Sequence, residues 1–570
     1  MKTAKGKVLN GKPYAGNPHV VHSQCYGSTD LFLVKLVVAV LCAVTLSGCI
    51  NGHSGGTGEP ALDAVGVVVN GRTVADVEWR HEPDGVAVRY RLPAGRRVIS
   101  GEKTAWTLPE DADCWYQVGT GYEEPYSWGK VRDVPKGVAL GMPITFRLQD
   151  GTYRLITEAN LVDYTDLAVV YEGDGRFVAR YHAEKGPFEQ SGADTTPWRV
   201  MIVAKDLNEL FNCDLVRRLC PPPTNARSIA LAKPGRAVWQ WLPAGNPRYE
   251  DQKDWYDKTA RLGVEYYLID AGWKNWRDGK LDQWACLEKA IAYGLSIGVK
   301  TAIWVHSKEL ASASERRTYL ARVAKSGAVG IKIDFVPPCD SKWCKWYEET
   351  LADTAEVGLF VDFHGCVKPT GRERTWPHEL AREAIRGHEY HITRYNRILS
   401  PEHDTILPFC RLVQGHGDYT PVVFQKDQLI HFTWPRQLAQ GVVMACPFLC
   451  FGDYPSNYLA SPMLEVVKNL PATYDETRVL PCSSIGNCVA MARRKGDRWF
   501  IAVENSSQVR KLEIGLSFLG KGTWTLKGFR DDPKGVLDSC VGDERKVSAG
   551  DILRVSVNSC GGYIAMATRD

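Results

Sequence analysis

Residues 330–335 read GIKIDF and residues 359–365 read LFVDFHG, and these two stretches decide the fold. Each is a short apolar run that ends at a carboxylate, which is typical of a buried parallel strand. In α/β barrels, the polar residues that follow successive parallel strands gather on one rim and carry the chemistry. The sequence therefore predicts that Asp334, Asp362 and His364 lie together on such a rim.

The segments around these two stretches alternate between strand and helix patterns, which predicts a (β/α)8 TIM barrel over residues 225–462. The candidate strands cover residues 237–241, 266–270, 299–305, 330–335, 359–363, 388–392, 407–415 and 442–450. The candidate helices cover residues 252–262, 282–294, 311–326, 341–356, 378–386 and 425–440. The seventh strand has the weakest pattern of the eight.

Both flanks of the barrel have β patterns. Residues 61–224 contain short apolar runs separated by Gly, Asp and Pro turns, which predicts an N-terminal β-sandwich. The segment CPPPT at residues 220–224 marks its end, because a run of prolines stays extended and separates folded units. Residues 463–570 predict a smaller C-terminal antiparallel β domain.

The N-terminus resembles a lipoprotein signal region, residues 1–49. Residues 31–46 form an apolar run that is short for a membrane-spanning helix, and LSGC at residues 46–49 is similar to a bacterial lipobox with Cys49 as the lipidated residue. Residues 50–60 are rich in glycine and predict a tether. We therefore expect an exported protein of the periplasm or outer membrane, attached to the membrane through its lipid anchor alone; an uncleaved anchor is the alternative.

Composition narrows the class of protein. The 570 residues are 44% hydrophobic and 24% charged, with a formal net charge of +4, so the chain is a folded protein of several domains. The sequence shows no basic stripe, which argues against a nucleic-acid partner. The 18 tryptophans and 24 tyrosines suit either ordinary cores or surfaces that stack on sugar rings.

An ordered set of motifs resembles glycoside hydrolase family 97. The resemblance extends from Gly66 to the C-terminus, and its motifs are KIDF at 332–335, DFHG at 362–365, KPTG at 368–371, RTWP at 374–377 and REAIRGHEY at 382–390. Members of this family are calcium-dependent α-glycosidases, both α-galactosidases and α-glucosidases. The resemblance implies an oligosaccharide or polysaccharide substrate.

The resemblance also implies the catalytic carboxyl groups. Glycosidic bonds are cleaved by a pair of carboxyl groups, one of which protonates the leaving oxygen. Asp334 matches the nucleophile of the retaining branch of the family, and Glu389 matches its acid/base. The inverting branch has a base glutamate directly after the histidine of strand five, where this chain has Gly365. The pattern therefore predicts a retaining enzyme; read without the resemblance, Asp334 is also a candidate helix cap.

Three glutamates match the calcium ligands of the family, namely Glu158, Glu383 and Glu389, and carboxylate oxygens are the ligands that Ca²⁺ prefers. Without the resemblance, Glu158 is a surface carboxylate and Glu383 a glutamate on a helix surface. Lys332, Trp304, His306 and His364 are candidate substrate-binding residues because they lie on the predicted rim, and each histidine is equally well a structural side chain.

These observations predict an exo-acting, retaining α-glycoside hydrolase, most simply an α-galactosidase, that uses an aspartate nucleophile, a glutamate acid/base and calcium. An α-glucosidase of the same family is the first alternative. A lipoprotein that binds glycans without cleaving them is the second. The contacts that separate galactose from glucose involve one axial hydroxyl, and the sequence does not locate them.

Overall fold

The computed structural model describes residues 60–391 and 397–570. It has an N-terminal β domain, a central α/β domain built on a parallel sheet, and a C-terminal β domain, so the predicted multidomain α/β plus β class is confirmed. The signal region, the anchor at Cys49 and all of the tether before Pro60 lie outside the described residues. Among those that are described, no helix combines the length and the apolar character that a membrane crossing requires.

The N-terminal domain is a β-sandwich of antiparallel strands. Its core includes Trp106, Phe146 and Phe177, all fully buried, and the two phenylalanine rings meet edge to face at 5.3 Å. The strands are β1 (Ala61–Val69), β2 (Arg72–Val74), β3 (Val77–Glu82), β4 (Gly85–Tyr90), β5 (Arg97–Thr107), β6 (Asp113–Val118), β7 (Tyr126–Lys130), β8 (Ala139–Arg147), β9 (Tyr153–Ala159), β10 (Leu167–Gly173), β11 (Arg176–Tyr181), β12 (Phe188–Gln190) and β13 (Trp198–Ala204). Two short helices follow, α1 (Leu207–Phe211) and α2 (Leu215–Arg218).

The central domain is built on parallel strands in the spatial order β19-β18-β17-β16-β15-β14-β20. These strands are β14 (Gly235–Trp239), β15 (Tyr266–Ile269), β16 (Lys300–His306), β17 (Gly330–Asp334), β18 (Phe360–Phe363), β19 (Glu379–Arg382) and β20 (Phe448–Phe451). The rings of Tyr266, Phe360 and Phe448 meet within 5.6 Å of one another inside it, although they come from three separated strands. The sheet therefore curls around one core, as in a barrel.

Helices cover the outside of this sheet. They are α3 (Ala226–Leu231), α4 (Trp241–Ala244), α5 (Gln252–Leu262), α6 (Gln283–Ser296), α7 (Ala313–Lys325), α8 (Ser341–Val357), α9 (Pro401–Ile406), α10 (Trp434–Val443), α11 (Pro455–Ala460) and α12 (Leu464–Asn469). Side chains cap several of them in the usual way, for example Asp340, which accepts a hydrogen bond from the Trp343 amide at the start of α8.

Three predicted elements of the barrel are wrong: the helix at residues 378–386 and the strands at residues 388–392 and 407–415. The sixth strand is β19, where the sequence pattern favoured a helix, and residues 388–391 form a 3₁₀ turn instead of a strand. Residues 407–415, the predicted seventh strand, contain two 3₁₀ turns, so the described residues supply seven parallel strands and not eight. The helix pattern was misleading because β19 is polar and buried, with Arg382 donating a 2.6 Å hydrogen bond to Glu379.

The C-terminal domain consists of two antiparallel sheets, in the strand orders β21-β22-β23-β28-β25-β26 and β24-β27. The strands are β21 (Glu476–Val479), β22 (Cys488–Lys495), β23 (Arg498–Asn505), β24 (Arg510–Gly515), β25 (Trp524–Asp531), β26 (Cys540–Val547), β27 (Ile552–Val557) and β28 (Gly562–Arg569). This domain packs against α10 of the barrel through buried charged groups, among them Arg436 and Glu504.

Candidate active site

Asp334 is the last residue of β17 and lies at the carboxyl end of the barrel sheet. Both of its carboxylate oxygens accept hydrogen bonds: Oδ2 from the Trp304 indole at 2.9 Å and Oδ1 from the Phe335 amide at 2.7 Å. The side chain is partly exposed, whereas the three residues before it in β17 are buried. The carboxylate is therefore held in a fixed orientation and still faces solvent, as a group that meets substrate must.

Gly365 approaches Asp334 more closely than any larger residue would without a shift. A Cβ at position 365 would lie 3.1 Å from the Phe335 nitrogen, 3.2 Å from its Cα and 3.3 Å from Asp334 Oδ1. Gly365 also has a φ of 47°, in the left-handed region that favours glycine. A glutamate here would crowd the carboxylate of Asp334. A glutamate at position 365 and an aspartate at position 334 therefore exclude each other sterically.

Lys332 lies two residues before Asp334 and is 2% exposed. Its ammonium group contacts Asp270 Oδ2 at 3.1 Å and lies 4.1 Å from the centre of the Trp239 ring. Trp239 in turn donates a 2.7 Å hydrogen bond to the same Asp270 oxygen. Burial opposes the charge on Lys332, but Asp270, Asp334 and Glu389 outweigh burial and raise its pKa well above the usual value.

His364 connects two carboxylates, one that follows β19 and one from the irregular segment between α9 and α10. Its Nδ1 lies 3.1 Å from Glu383 Oε2, and its Nε2 lies 2.9 Å from Asp418 Oδ2. Burial disfavours the charged ring, but Glu383, Asp362 and the hydrogen bond to Asp418 hold the pKa of His364 well above its ordinary value. The imidazole therefore fixes Glu383 in place.

Glu383 follows β19 directly, so the corrected strand assignment brings it to the rim. Its amide donates a 2.7 Å hydrogen bond to the Phe363 carbonyl, and its Oε2 accepts one of 2.7 Å from the Gly365 amide. Glu389 comes from the 3₁₀ turn His388–His391. Ligand atoms of His364, Glu383 and Glu389 all lie within 4.8 Å of one another, which is close enough to share a metal ion.

A third glutamate, Glu123, reaches this cluster from the N-terminal domain. It accepts a hydrogen bond from the Tyr390 hydroxyl, next to Glu389 in the chain. Burial and the charge of Glu383 raise the pKa of Glu123 to about 8, and the same two causes raise the pKa of Glu389 to about 7. Carboxyl groups that raise one another's pKa form a site with excess negative charge, and such a site fits a cation.

Glu158 does not join this cluster. It is fully buried on β9, where its two oxygens contact Lys368 Nζ at 2.7 Å and Arg199 at 2.9 Å. Arg199 also pairs with Glu102 and Lys368 with Asp166, so Glu158 lies in a buried cluster of charges. It is not in the group formed by His364, Glu383 and Glu389, which corrects its sequence assignment as a ligand beside them. The N-terminal-domain glutamate that the structure brings beside Glu383 and Tyr390 is Glu123.

The other predicted substrate-binding residues lie on the same rim. Trp304 and His306 are partly exposed at the end of β16, in register with Lys332 and Asp334 of β17. His364 is 2% exposed, so its contacts are with protein groups. Sequence reasoning did not identify Glu123, because nothing in its loop sequence, GYEEP at residues 121–125, indicates that the loop approaches the barrel.

A parallel barrel with several carboxyl groups at the carboxyl ends of its strands is a fold and site that many glycoside hydrolases use. The sequence matches three profiles of one such family, described as Glycosyl-hydrolase 97 N-terminal over residues 63–222, Glycoside hydrolase 97 over residues 235–385, and Glycosyl-hydrolase 97 C-terminal, oligomerisation, over residues 473–568. The chain belongs to glycoside hydrolase family 97 and is a glycosidase.

Individual relatives agree with this assignment. The chain is 32% identical over 509 residues to a probable retaining alpha-galactosidase of Streptomyces bingchenggensis, covering 86% of this chain and 77% of the relative. It is 26% identical over 521 residues to a retaining alpha-galactosidase of Bacteroides thetaiotaomicron, covering 80% and 77%. Its fold is similar to a family 97 enzyme in complex with acarbose from Pseudoalteromonas sp. strain K8, with a TM-score of 0.77, 22% identity and coverage of 87% and 85%.

Proposed function

We propose that this protein is an exo-acting, retaining α-galactosidase in which Asp334 is the nucleophile and Glu389 the acid/base. The observation that carries the proposal is the pairing of an oriented, solvent-facing Asp334 with a glycine at position 365. Two curated relatives named as retaining alpha-galactosidases support the choice of sugar and of stereochemistry. An α-glucosidase of the same family is the second candidate.

The nucleophile attacks the anomeric carbon and forms a glycosyl-enzyme ester, which water then hydrolyses. Asp334 suits this role because the Trp304 indole and the Phe335 amide hold its two oxygens without neutralising them. Those two hydrogen bonds also orient the carboxylate before substrate arrives, which reduces the entropy cost of reaching the reactive geometry.

The acid/base must be protonated when the leaving oxygen departs and ionised when water attacks. In the metal-free protein, burial and the charge of Glu383 raise the pKa of Glu389 to about 7, so both forms exist near neutral pH; bound calcium would lower this pKa and favour the ionised form. Glu389 is also partly exposed, so its carboxyl group is accessible from the rim.

The carboxylates of Glu383 and Glu389 offer the oxygen ligands that Ca²⁺ prefers, and with His364 their ligand atoms lie close enough together to share one ion. Glu123, whose pKa is raised in part by the charge of Glu383, adds a further carboxyl group beside them. Bound calcium would supply positive charge that stabilises the carboxylates and polarises the leaving group. The protein's own contribution is to hold Glu383, which His364 and the Gly365 amide fix from two sides.

Lys332, Trp304, His306 and His364 remain proposed substrate-binding residues. Trp304 and His306 offer partly exposed rings beside Asp334, where a sugar has to lie during attack. Lys332 and His364 are buried behind the rim. Only the sugar hydroxyl groups that enter furthest into the site could therefore contact them. For residues 1–60, we propose export with a lipid anchor at Cys49, on the sequence pattern alone.

The test combines product stereochemistry with rescue of a nucleophile variant. Proton NMR of the sugar first released from p-nitrophenyl α-galactoside should show the α-anomer, and the galactoside should react faster than the matching glucoside. Asp334→Ala should lower kcat by about a thousandfold or more, and azide should restore turnover with β-galactosyl azide as product. Release of the β-anomer first, or an Asp334→Ala variant with normal kcat, would overturn the proposal.

A further inference from the structure

Phe335 has a backbone conformation that is costly for a bulky residue. Its φ is 57°, in the left-handed region, where aromatic side chains are rarely found outside strained sites. Nevertheless, the side chain is 59% exposed, so the strain is not offset by burial of the ring. Such a conformation persists where neighbouring groups impose it, and it is concentrated at functional sites.

Three neighbours impose this conformation. The Phe335 amide donates to Asp334 Oδ1 at 2.7 Å, and its carbonyl accepts a 2.6 Å hydrogen bond from the Ser307 hydroxyl. Gly365 packs directly against the Phe335 backbone. The same contacts that orient the carboxylate of Asp334 therefore also direct the Phe335 ring outward from the rim.

The Phe335 ring extends an aromatic surface that begins at the carboxylate. Its centre lies 5.1 Å from the His306 ring, with an angle of 35° between the planes, and 6.5 Å from the Trp304 ring. Trp304 donates to Asp334, so the surface runs from the nucleophile to solvent without interruption. His306 Nδ1 accepts from the Lys308 amide at 3.2 Å, which leaves its other ring nitrogen for a hydroxyl group.

We propose that Phe335 and His306 form the binding surface for the leaving-group sugar, and that Phe335 determines specificity for leaving groups that contain a pyranose ring. This inference rests on the proposed function. The sugar under attack must have its anomeric carbon beside Asp334, with its ring toward the buried Lys332 and Asp270. The leaving group then points outward, where Phe335 offers an apolar face and His306 a polar edge.

The two-step reaction makes this inference testable, because the leaving group is present in the first step and absent from the second. The test compares kcat/KM on a galactosyl disaccharide with kcat/KM on α-galactosyl fluoride, whose leaving group has no ring. Phe335→Leu should lower kcat/KM on the disaccharide by about tenfold, the size of one lost stacking contact, and leave the fluoride within about twofold. Phe335→Tyr, which keeps a ring, should retain activity on both substrates.

Controls separate this role from a structural one. Phe335→Gly removes the ring and relieves the backbone strain, so it should match Phe335→Leu on the disaccharide if stacking is the cause. Trp79→Leu removes another exposed aromatic side chain, which stacks on His81 in β3, and should change kcat/KM on neither substrate. Equal losses on disaccharide and fluoride, or no loss on either, would overturn the inference.

Failure of the inference is distinguishable from failure of the proposed function. If the unaltered protein cleaves glucosyl substrates and not galactosyl ones, the choice of sugar is wrong, and the same comparison is made with maltose and α-glucosyl fluoride. A second readout is transglycosylation, in which an added sugar replaces water in the second step. The added sugar binds where the leaving-group sugar was bound in the first step. Phe335→Leu should lower the ratio of transfer to hydrolysis, while an unchanged ratio would contradict a contact with that sugar.

Discussion

At residue scale, the rim is organised by the contact between Gly365 and the Asp334–Phe335 peptide. That contact excludes a side chain at position 365, and it holds the backbone that presents Asp334. A glutamate at position 365 and an aspartate at position 334 are therefore alternatives for steric reasons. In the sequence, this exclusion is visible only as a difference between the retaining and inverting branches of the family. The distances around Gly365 give its physical reason.

Gly365→Ala should consequently lower kcat by about tenfold, because the added Cβ would push on the Phe335 backbone and turn the carboxylate of Asp334. Gly298→Ala is the matched control, since Gly298 has a φ of 85° with open space around the added Cβ. Both variants should lose about 1 kcal/mol of stability through their positive φ. Steady-state kinetics and thermal melts check this, and equal activity in the two variants would contradict it.

At element scale, the loop between β6 and β7 carries Glu123 to the barrel and is fastened by its neighbour Tyr122. The Tyr122 hydroxyl donates to Asp166 and lies 3.0 Å from Lys368 Nζ. Lys368 belongs to the barrel and also contacts Glu158. Glu158 thus supports the position of Glu123 through Lys368 and Tyr122, although it is not in the group of His364, Glu383 and Glu389.

If the proposed calcium site includes Glu123, Tyr122→Phe should weaken calcium binding by about three- to tenfold, the effect of one lost hydrogen bond, while the ring keeps its packing. Terbium luminescence with calcium competition measures this affinity in the absence of substrate. Tyr171→Phe removes a hydroxyl group that contacts Glu110 in the same domain, and should leave the affinity unchanged. Equal affinities in the two variants would show that Tyr122 does not position Glu123.

The sequence predicted those elements whose local pattern agrees with their environment, and β17 and β18 are examples, being apolar and buried. It failed at β19, where Glu379 and Arg382 neutralise each other and a polar segment is buried as a strand. It also failed at Glu123, because the approach of a loop in one domain to a rim in another depends on domain packing. The hydrophobic periodicity of a short segment gives no information about a specific ion pair or a long-range contact.

At the scale of the whole molecule, buried charges join the domains, and one of them makes stability depend on pH. Arg436 contacts Asp404 at 3.0 Å and Glu504 at 4.0 Å, and all three side chains are fully buried between α10, α9 and β23. One arginine faces two carboxyl groups, so one of them remains uncompensated. Burial accordingly raises the pKa of Glu504 to about 8, and Arg436 opposes the rise only in part.

The sign of the effect follows from proton binding. Between pH 4.5 and 8, the folded protein holds a proton on Glu504 that the unfolded chain releases, so Glu504 lowers the free energy of unfolding as pH rises through this window. Glu504→Gln resembles the protonated form at every pH. Relative to the unaltered protein, it should gain about 3 to 4 kcal/mol of stability between pH 5 and pH 8.

Thermal melts of the unaltered protein and Glu504→Gln at half-unit steps of pH measure this difference. Glu513→Gln serves as the control, because Glu513 is more exposed on β24, where it contacts Arg554 at 2.9 Å, and the substitution should not change the slope with pH. If stability changes with pH in parallel for Glu504→Gln and the unaltered protein, Glu504 is ionised in the folded state. Arg436 would then be shared by two negative charges, and the C-terminal domain would be held to the barrel by an ion triad instead of by an ion pair beside a neutral acid.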